Sequence, residues 1–212
     1  MMNPDTKKLL DLIGSKEAPK GYDQIYTKAE GLVGKPKLTI MSLDQVRALQ
    51  EKMAPSGSTA CGRYQFIRAT FDATRKAMGL PGYTVWIPQV QDGMAEYLLV
   101  KRGLNKFITG EISREAFANN LAMEWASLPV VTPIRGQSRH LIPGQSFYAG
   151  DGLNKALHSP KDVLEILDAI KLVPSVSVSP SPVNPLIQRL AFTVVAIAII
   201  IGLVIAVYLM WN

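Results

Sequence analysis

The sequence predicts an α+β fold dominated by helices, with a small β-sheet and one C-terminal transmembrane helix. Three observations carry that expectation. Apolar residues recur at helical spacing over much of the chain, one short alternating stretch follows a glycine, and the run from Leu190 to Trp211 contains no charged residue.

Taken in order, Leu9, Leu10, Leu12 and Ile13 mark an amphipathic first helix after Pro4-Asp5. Ser42-Leu43-Asp44-Gln45 reads as a capping box with Met41 and Val46 as its staple, opening a helix that runs to Met53. Phe71, Thr74 and Met78 share one face of a third helix, which stops at Gly79. Pro88 suits the first turn of a helix reaching Arg102 and closed by Gly103. Phe117, Leu121, Trp125 and Leu128 repeat at helical spacing up to Pro129, which places Phe117 and Trp125 in the core. Ser159-Pro160 starts a last helix with Val163, Leu164, Leu167 and Ile170 inward. Arg63 to Ile67 alternates and follows Gly62, so it is expected to supply a strand of the small sheet.

Beyond these elements, Pro174 to Pro185 carries proline every few residues, which forbids helix and favours an extended spacer. The apolar run that follows is long enough for a hydrocarbon core of roughly 30 Å, with Tyr208 and Trp211 where interfacial aromatics belong. The expected organisation is a domain over 1–173, a Pro/Ser-rich linker over 174–188 and a membrane anchor over 189–212. The N-terminal apolar stretch is too short and broken for a signal peptide, and Arg189 lies on the domain side of the span. The chain therefore reads as a single-pass tail anchor with its domain on the cytoplasmic or interior side.

A formal charge of +6 and a pI near 9.4 suggest an anionic partner: nucleic acid, a lipid surface or a bacterial wall. The basic residues are scattered and no nucleic-acid motif accompanies them, which sets nucleic acid aside. With Cys61 as its single cysteine the chain forms no internal disulfide. His140 and His158 lack metal-ligand spacing, and no cysteine-hydrolase signature links Cys61 to His140, so neither metal nor cofactor is expected.

One acidic residue stands out. Leu10, Ile13 and Glu17 follow i, i+3, i+7, so Glu17 shares the inward face of the first helix near its C-terminal end. Desolvation and the negative end of the helix dipole both raise a carboxyl pKa there. A carboxylic acid kept neutral is what a glycosidase needs to protonate a leaving oxygen. Further along, Ser58 to Phe66 leads small residues into Gly62 and then a polar-aromatic pair. In it Tyr64 offers a face to a sugar ring, and Gln65 offers a donor and an acceptor to an N-acetyl group.

Ser58-Thr59-x-x-Gly62-Arg63-Tyr64-Gln65, Arg75-Lys76-x-x-Gly79-Leu80, Gln91-Asp92 and Trp125-Ala126-Ser127-Leu128-Pro129, in that order, resemble the bacteriophage lambda endolysin family. The resemblance runs from Leu9 to Lys171, and the C-terminal apolar run is an addition to that family's pattern. It implies a lysozyme-like lytic transglycosylase that cuts peptidoglycan between N-acetylmuramic acid and N-acetylglucosamine. The family's catalytic glutamate falls on Glu17, and its groove motif on Tyr64 and Gln65. Gln145 to Lys155 looks like the closing loop of related phage muramidases, which adds Gln145 and Tyr148 as substrate-binding residues. Inverting or retaining hydrolysis would need a second carboxylate. Asp23, Asp44 and Asp72 are available by type, but no motif sets one opposite Glu17. Two roles fit an anchored wall-cutting enzyme: wall penetration during genome delivery, from a virion membrane, and host lysis, from the host inner membrane. A hydrolytic muramidase and a non-catalytic wall-binding virion membrane protein are the alternatives.

Overall fold

The computed structural model describes residues 4–152 and 154–172. Helix α1 (Pro4–Glu17) begins on a proline, whose fixed φ and missing N–H suit a first turn. It buries Leu9, Leu10 and Ile13. A single-turn helix, α2 (Glu30–Val33), was not foreseen from the sequence. Helix α3 (Leu43–Met53) opens on the expected capping box: the Ser42 hydroxyl accepts from the Gln45 amide at 3.3 Å, and Gln45 Oε1 accepts from the Ser42 amide at 2.8 Å. Helix α4 (Arg68–Ala77) buries Phe71 and Thr74 and gives way to Gly79 at φ +63°. Helix α5 (Pro88–Lys101) carries Pro88 in its first turn, and the short α6 (Leu104–Ile108) follows across Gly103. Helix α7 (Arg114–Ala122) is capped by the Ser113 hydroxyl accepting from the Ala116 amide at 3.1 Å. Helix α8 (Pro160–Leu172) has a reciprocal cap between Ser159 and Asp162.

Two expectations are corrected. Arg63 to Ile67 is not a strand. Cys61 and Phe66 exchange both backbone hydrogen bonds, at 2.9 and 3.2 Å, and the residues between them form a tight turn. Gly62 at φ +76° and Gln65 at φ +48° lie in the left-handed region, which a strand cannot use. The sheet lies elsewhere: β1 (Ile134–Arg135) and β2 (His140–Leu141) pair antiparallel, with Ile134 opposite Leu141. The second correction concerns α7, which ends at Ala122 rather than continuing to Leu128. Trp125 and Leu128 remain buried, because successive turns keep them on the same side: Trp125 N donates to Leu121 O and Leu128 N to Trp125 O.

The described residues belong to one unit spanning Met1–Val173, and its core draws on every major helix. Helix α1 packs against α8 and α5, α3 against α4, and α7 against α8. Fully buried Trp86 meets Phe71 edge-on at 5.2 Å, and Phe107 stacks on Phe117 at 5.1 Å. Burying each large apolar side chain stabilises the fold by about 1.5–3 kcal/mol. The core therefore holds α1 against α8, and the last residue of α1, Glu17, meets the loop after α7.

The expected linker and anchor, 174–188 and 189–212, lie outside the described residues. Among the described residues no helix is long and apolar enough to cross a membrane.

Candidate active site

Glu17 is the last residue of α1 and sits half-buried in the wall of a cleft of about 600 Å³. One carboxylate oxygen accepts from the backbone amide of Ser127 at 3.1 Å. That partner comes from the loop after α7, so the contact exists only once segments 110 residues apart have packed together. Desolvation pushes the Glu17 carboxyl above its ordinary value, and hydrogen bonding from Ser127 opposes the rise. The result is an acid that holds its proton more tightly than a solvated glutamate and has a donor ready for its ionised form.

The turn from Cys61 to Phe66 forms another part of the wall. Gln50, fully buried on α3, staples it by donating to Thr59 O at 3.1 Å and to Phe66 O at 2.9 Å. Gly62 carries no Cβ because Trp86 and Gln91 leave no room: a Cβ would stand 2.5 Å from the indole and 2.6 Å from the Gln91 amide oxygen. Gln91 Oε1 in turn accepts from the Arg63 amide at 2.9 Å. Gln65 is the one non-glycine residue with positive φ among the described residues. Its side-chain amide donates to Gly62 O at 2.8 Å and to Gln24 O at 3.4 Å, and the residue lines the cleft.

Tyr64 also lines the cleft but is only 2% exposed. Its hydroxyl donates to Asp92 at 2.7 Å, and Tyr22 donates to the same oxygen at 2.9 Å. Burial and the Asp92 charge raise both phenols, Tyr22 to about 12. Almost none of the Tyr64 ring is open to a sugar, so its place in the wall is as a support. Beside it Arg63 lies 5.2 Å over the Tyr22 ring, pairs with Asp11 at 3.2 Å, and fills the space against Gly14 of α1.

Tyr148 lines the cleft as well, and its hydroxyl donates to Met123 O at 2.6 Å. Gln145 does not reach it: its side-chain oxygen accepts from the Ile142 amide at 3.2 Å, within its own loop. The aspartates weighed as second acids also lie elsewhere. Asp23 caps the Thr39 amide and borders a separate pocket of about 360 Å³, Asp44 pairs with Arg75, and Asp72 with Arg47. Sequence reasoning missed Glu124, Arg102 and Asn154, all of which line the cleft. Glu124 Oε2 pairs with Arg102 Nε at 2.7 Å, and Arg102 Nη2 donates to Met123 O at 3.2 Å. The partners are far apart in sequence, so no local pattern announces them; the signal was that Glu124 directly precedes the Trp125-Ala126-Ser127 motif.

The remaining candidates separate. Cys61 is fully buried, with its thiol pushed up to about 12 by burial, whereas His140 is exposed on β2. His158 lies in the loop before α8 but is buried, and burial lowers its pKa. Among the described residues no group of three or more His, Cys, Asp or Glu is placed to hold a metal ion.

No curated protein matches the chain. A solved structure of bacteriophage lambda lysozyme complexed with a chitohexasaccharide aligns over 80% of this chain and 96% of that one, at 20% identity and a TM-score of 0.43. The family model for Endolysin matches residues 13–149, which takes in Glu17, the Cys61–Phe66 turn, the Arg102–Glu124 pair and Tyr148. That match covers more than half of the sequence, and the chain belongs to the endolysin family of peptidoglycan-degrading enzymes.

Proposed function

We propose that this chain is a lytic transglycosylase that cuts the β-1,4 bond between N-acetylmuramic acid and N-acetylglucosamine, with Glu17 as its acid and its base. The observation that carries the reading is a carboxyl group raised by burial at a cleft wall and held by a single backbone donor, Ser127. Neutral Glu17 gives its proton to the glycosidic oxygen, and the N-acetylglucosamine side leaves as a free hydroxyl. The Ser127 amide stabilises the carboxylate left behind. That carboxylate takes the proton from the muramic C6 hydroxyl as its oxygen bonds to C1, closing a 1,6-anhydro ring. No water is consumed, and Glu17 ends the cycle protonated. The chemistry requires neither metal nor cofactor.

Glu124 favours a second reading, hydrolysis, because it brings another carboxylate into the same cleft. An inverting enzyme needs such a group free to activate water, whereas Glu124 is bonded to Arg102 and its side chain is only 9% exposed. Mass spectrometry of digested walls separates the readings. Transglycosylation leaves 1,6-anhydromuramic ends and no new reducing ends. A digest dominated by reducing muramic ends identifies a hydrolase, and Glu124→Gln then tests whether that carboxylate is its second acid. A wall-binding protein without activity leaves the strands uncut.

The reading extends to cell location through the uncharged run at 190–211. We take it as a tail anchor that holds the domain at a membrane, on the cytoplasmic or interior side, with penetration of the wall during genome delivery the better fit to a tether. An enzyme released for lysis gains nothing from one. Detection of the chain in purified particles tests that role.

A further inference from the structure

The Arg102–Glu124 pair lies outside the acid–base step, yet it is fixed in the cleft more firmly than a surface pair. Glu124 has a side chain only 9% exposed, and its Oε2 takes the Nε–H of Arg102 at 2.7 Å. Met123 O takes a second proton from Nη2 at 3.2 Å, and Asn120 holds the Arg102 carbonyl at 3.1 Å. One edge of the guanidinium is therefore spent on the protein. Nη1, at the far end, makes no hydrogen bond to any described residue, although the side chain is 29% exposed and lines the cleft. Burying a charge pair of this kind costs desolvation energy, and a purely structural contact here would be served as well by apolar residues. What a fixed, half-engaged arginine offers is a preorganised donor fork for a planar anion.

We propose that Arg102 is a substrate-recognition site for a carboxylate on the peptide stem carried by muramic acid. The inference rests on the proposed activity. Along a glycan strand the sugars are neutral, and the negative charges sit on the peptides attached to every second sugar. An arginine in the cleft therefore distinguishes stem-bearing strands from bare ones and sets which sugar lies on which side of Glu17. Glu124 aims the guanidinium and covers its Nε edge, so the stem carboxylate meets the Nη1 end. Tyr148, which donates to the same Met123 carbonyl as Arg102, holds the other side of that support.

The test uses the full chain in detergent and two preparations of the same purified wall, one native and one with its stem carboxylates converted to amides. The readout is the initial rate of strand cutting at low substrate. The wild type should cut native walls about tenfold faster than amidated ones, the scale of one charge-assisted hydrogen bond. R102M should cut both at the same rate, whatever its absolute activity, and R102K, which keeps the charge without the fork, should fall between them. A wild type indifferent to amidation overturns the proposal, as does an R102M or R102K enzyme that is slower on both walls yet keeps the full preference. A wild type that cuts neither wall marks the failure of the proposed activity instead.

Discussion

Glu17 joins two demands that pull in opposite directions, since burial makes it a usable acid and also taxes the fold whenever it ionises. Glu17→Gln keeps the size and the acceptor for the Ser127 amide but removes the proton. Wall-cutting should fall by about 10²–10⁴-fold, measured as turbidity loss of purified walls, while the circular dichroism spectrum stays that of the parent. The same variant has a pH signature. Because the folded-state pKa is raised, the folded protein holds the proton to higher pH than the unfolded chain does, so wild-type stability falls as pH rises from below the unfolded value of about 4.3 through the folded one. Glu17→Gln should therefore gain thermal stability over the wild type at neutral pH and lose that advantage below about pH 4, read by melting temperatures at both. At this scale the sequence was partly legible. Helical spacing put Glu17 on an inward face because its neighbours Leu10 and Ile13 are local. Tyr64 is expected to offer its face to a sugar, but Asp92 arrives from α5 and holds it buried; Glu124 was missed because its partner Arg102, just past the end of α5, stands 22 residues earlier.

The element that shapes the cleft is the turn between Cys61 and Phe66, and its geometry depends on Gly62. Alanine there meets a left-handed φ together with the Trp86 ring and the Gln91 amide. Gly62→Ala should cost about 1–3 kcal/mol in denaturant unfolding and should also reduce activity, because Gln65 bonds to the Gly62 carbonyl. Ser42→Ala is the contrast: it removes the cap of α3, costs about 1 kcal/mol, and should leave the rate on walls unchanged. Equal loss of activity from both variants would show that general destabilisation, not turn geometry, limits the cleft. Capping was legible because a cap is a local bargain between neighbours, as Ser42 with Gln45 and Ser159 with Asp162 show. The turn was not. An alternating pattern at Arg63 to Ile67 satisfies the rule for a strand, whereas the paired Cys61–Phe66 bonds and the positive φ of Gly62 and Gln65, the latter held by bonds to Gly62 and Gln24, make it a turn. The end of α7 was obscured for a related reason, since Trp125 and Leu128 continue the helical spacing while packing on the same core from outside the helix.

On the scale of the whole chain, the boundary after Val173 decides what can be separated from what. Helix α8 buries Val163, Leu167 and Ile170 and packs on α1, whose last residue is Glu17. A fragment ending at Val173 keeps that support and should be soluble and active on purified walls. A fragment ending at Ser159 loses it and should unfold at lower denaturant concentration. The full chain should behave differently in the cell. If the run at 190–211 anchors it with Arg189 on the cytoplasmic side, the domain faces away from the wall while the membrane is intact. Expression in bacteria should then cause little lysis until the membrane is permeabilised, after which clearing should be rapid. Protease added to intact spheroplasts provides the direct check: the domain should be protected until detergent is added. Digestion before detergent would reverse the orientation, and with it the reason for expecting silence before the membrane is breached.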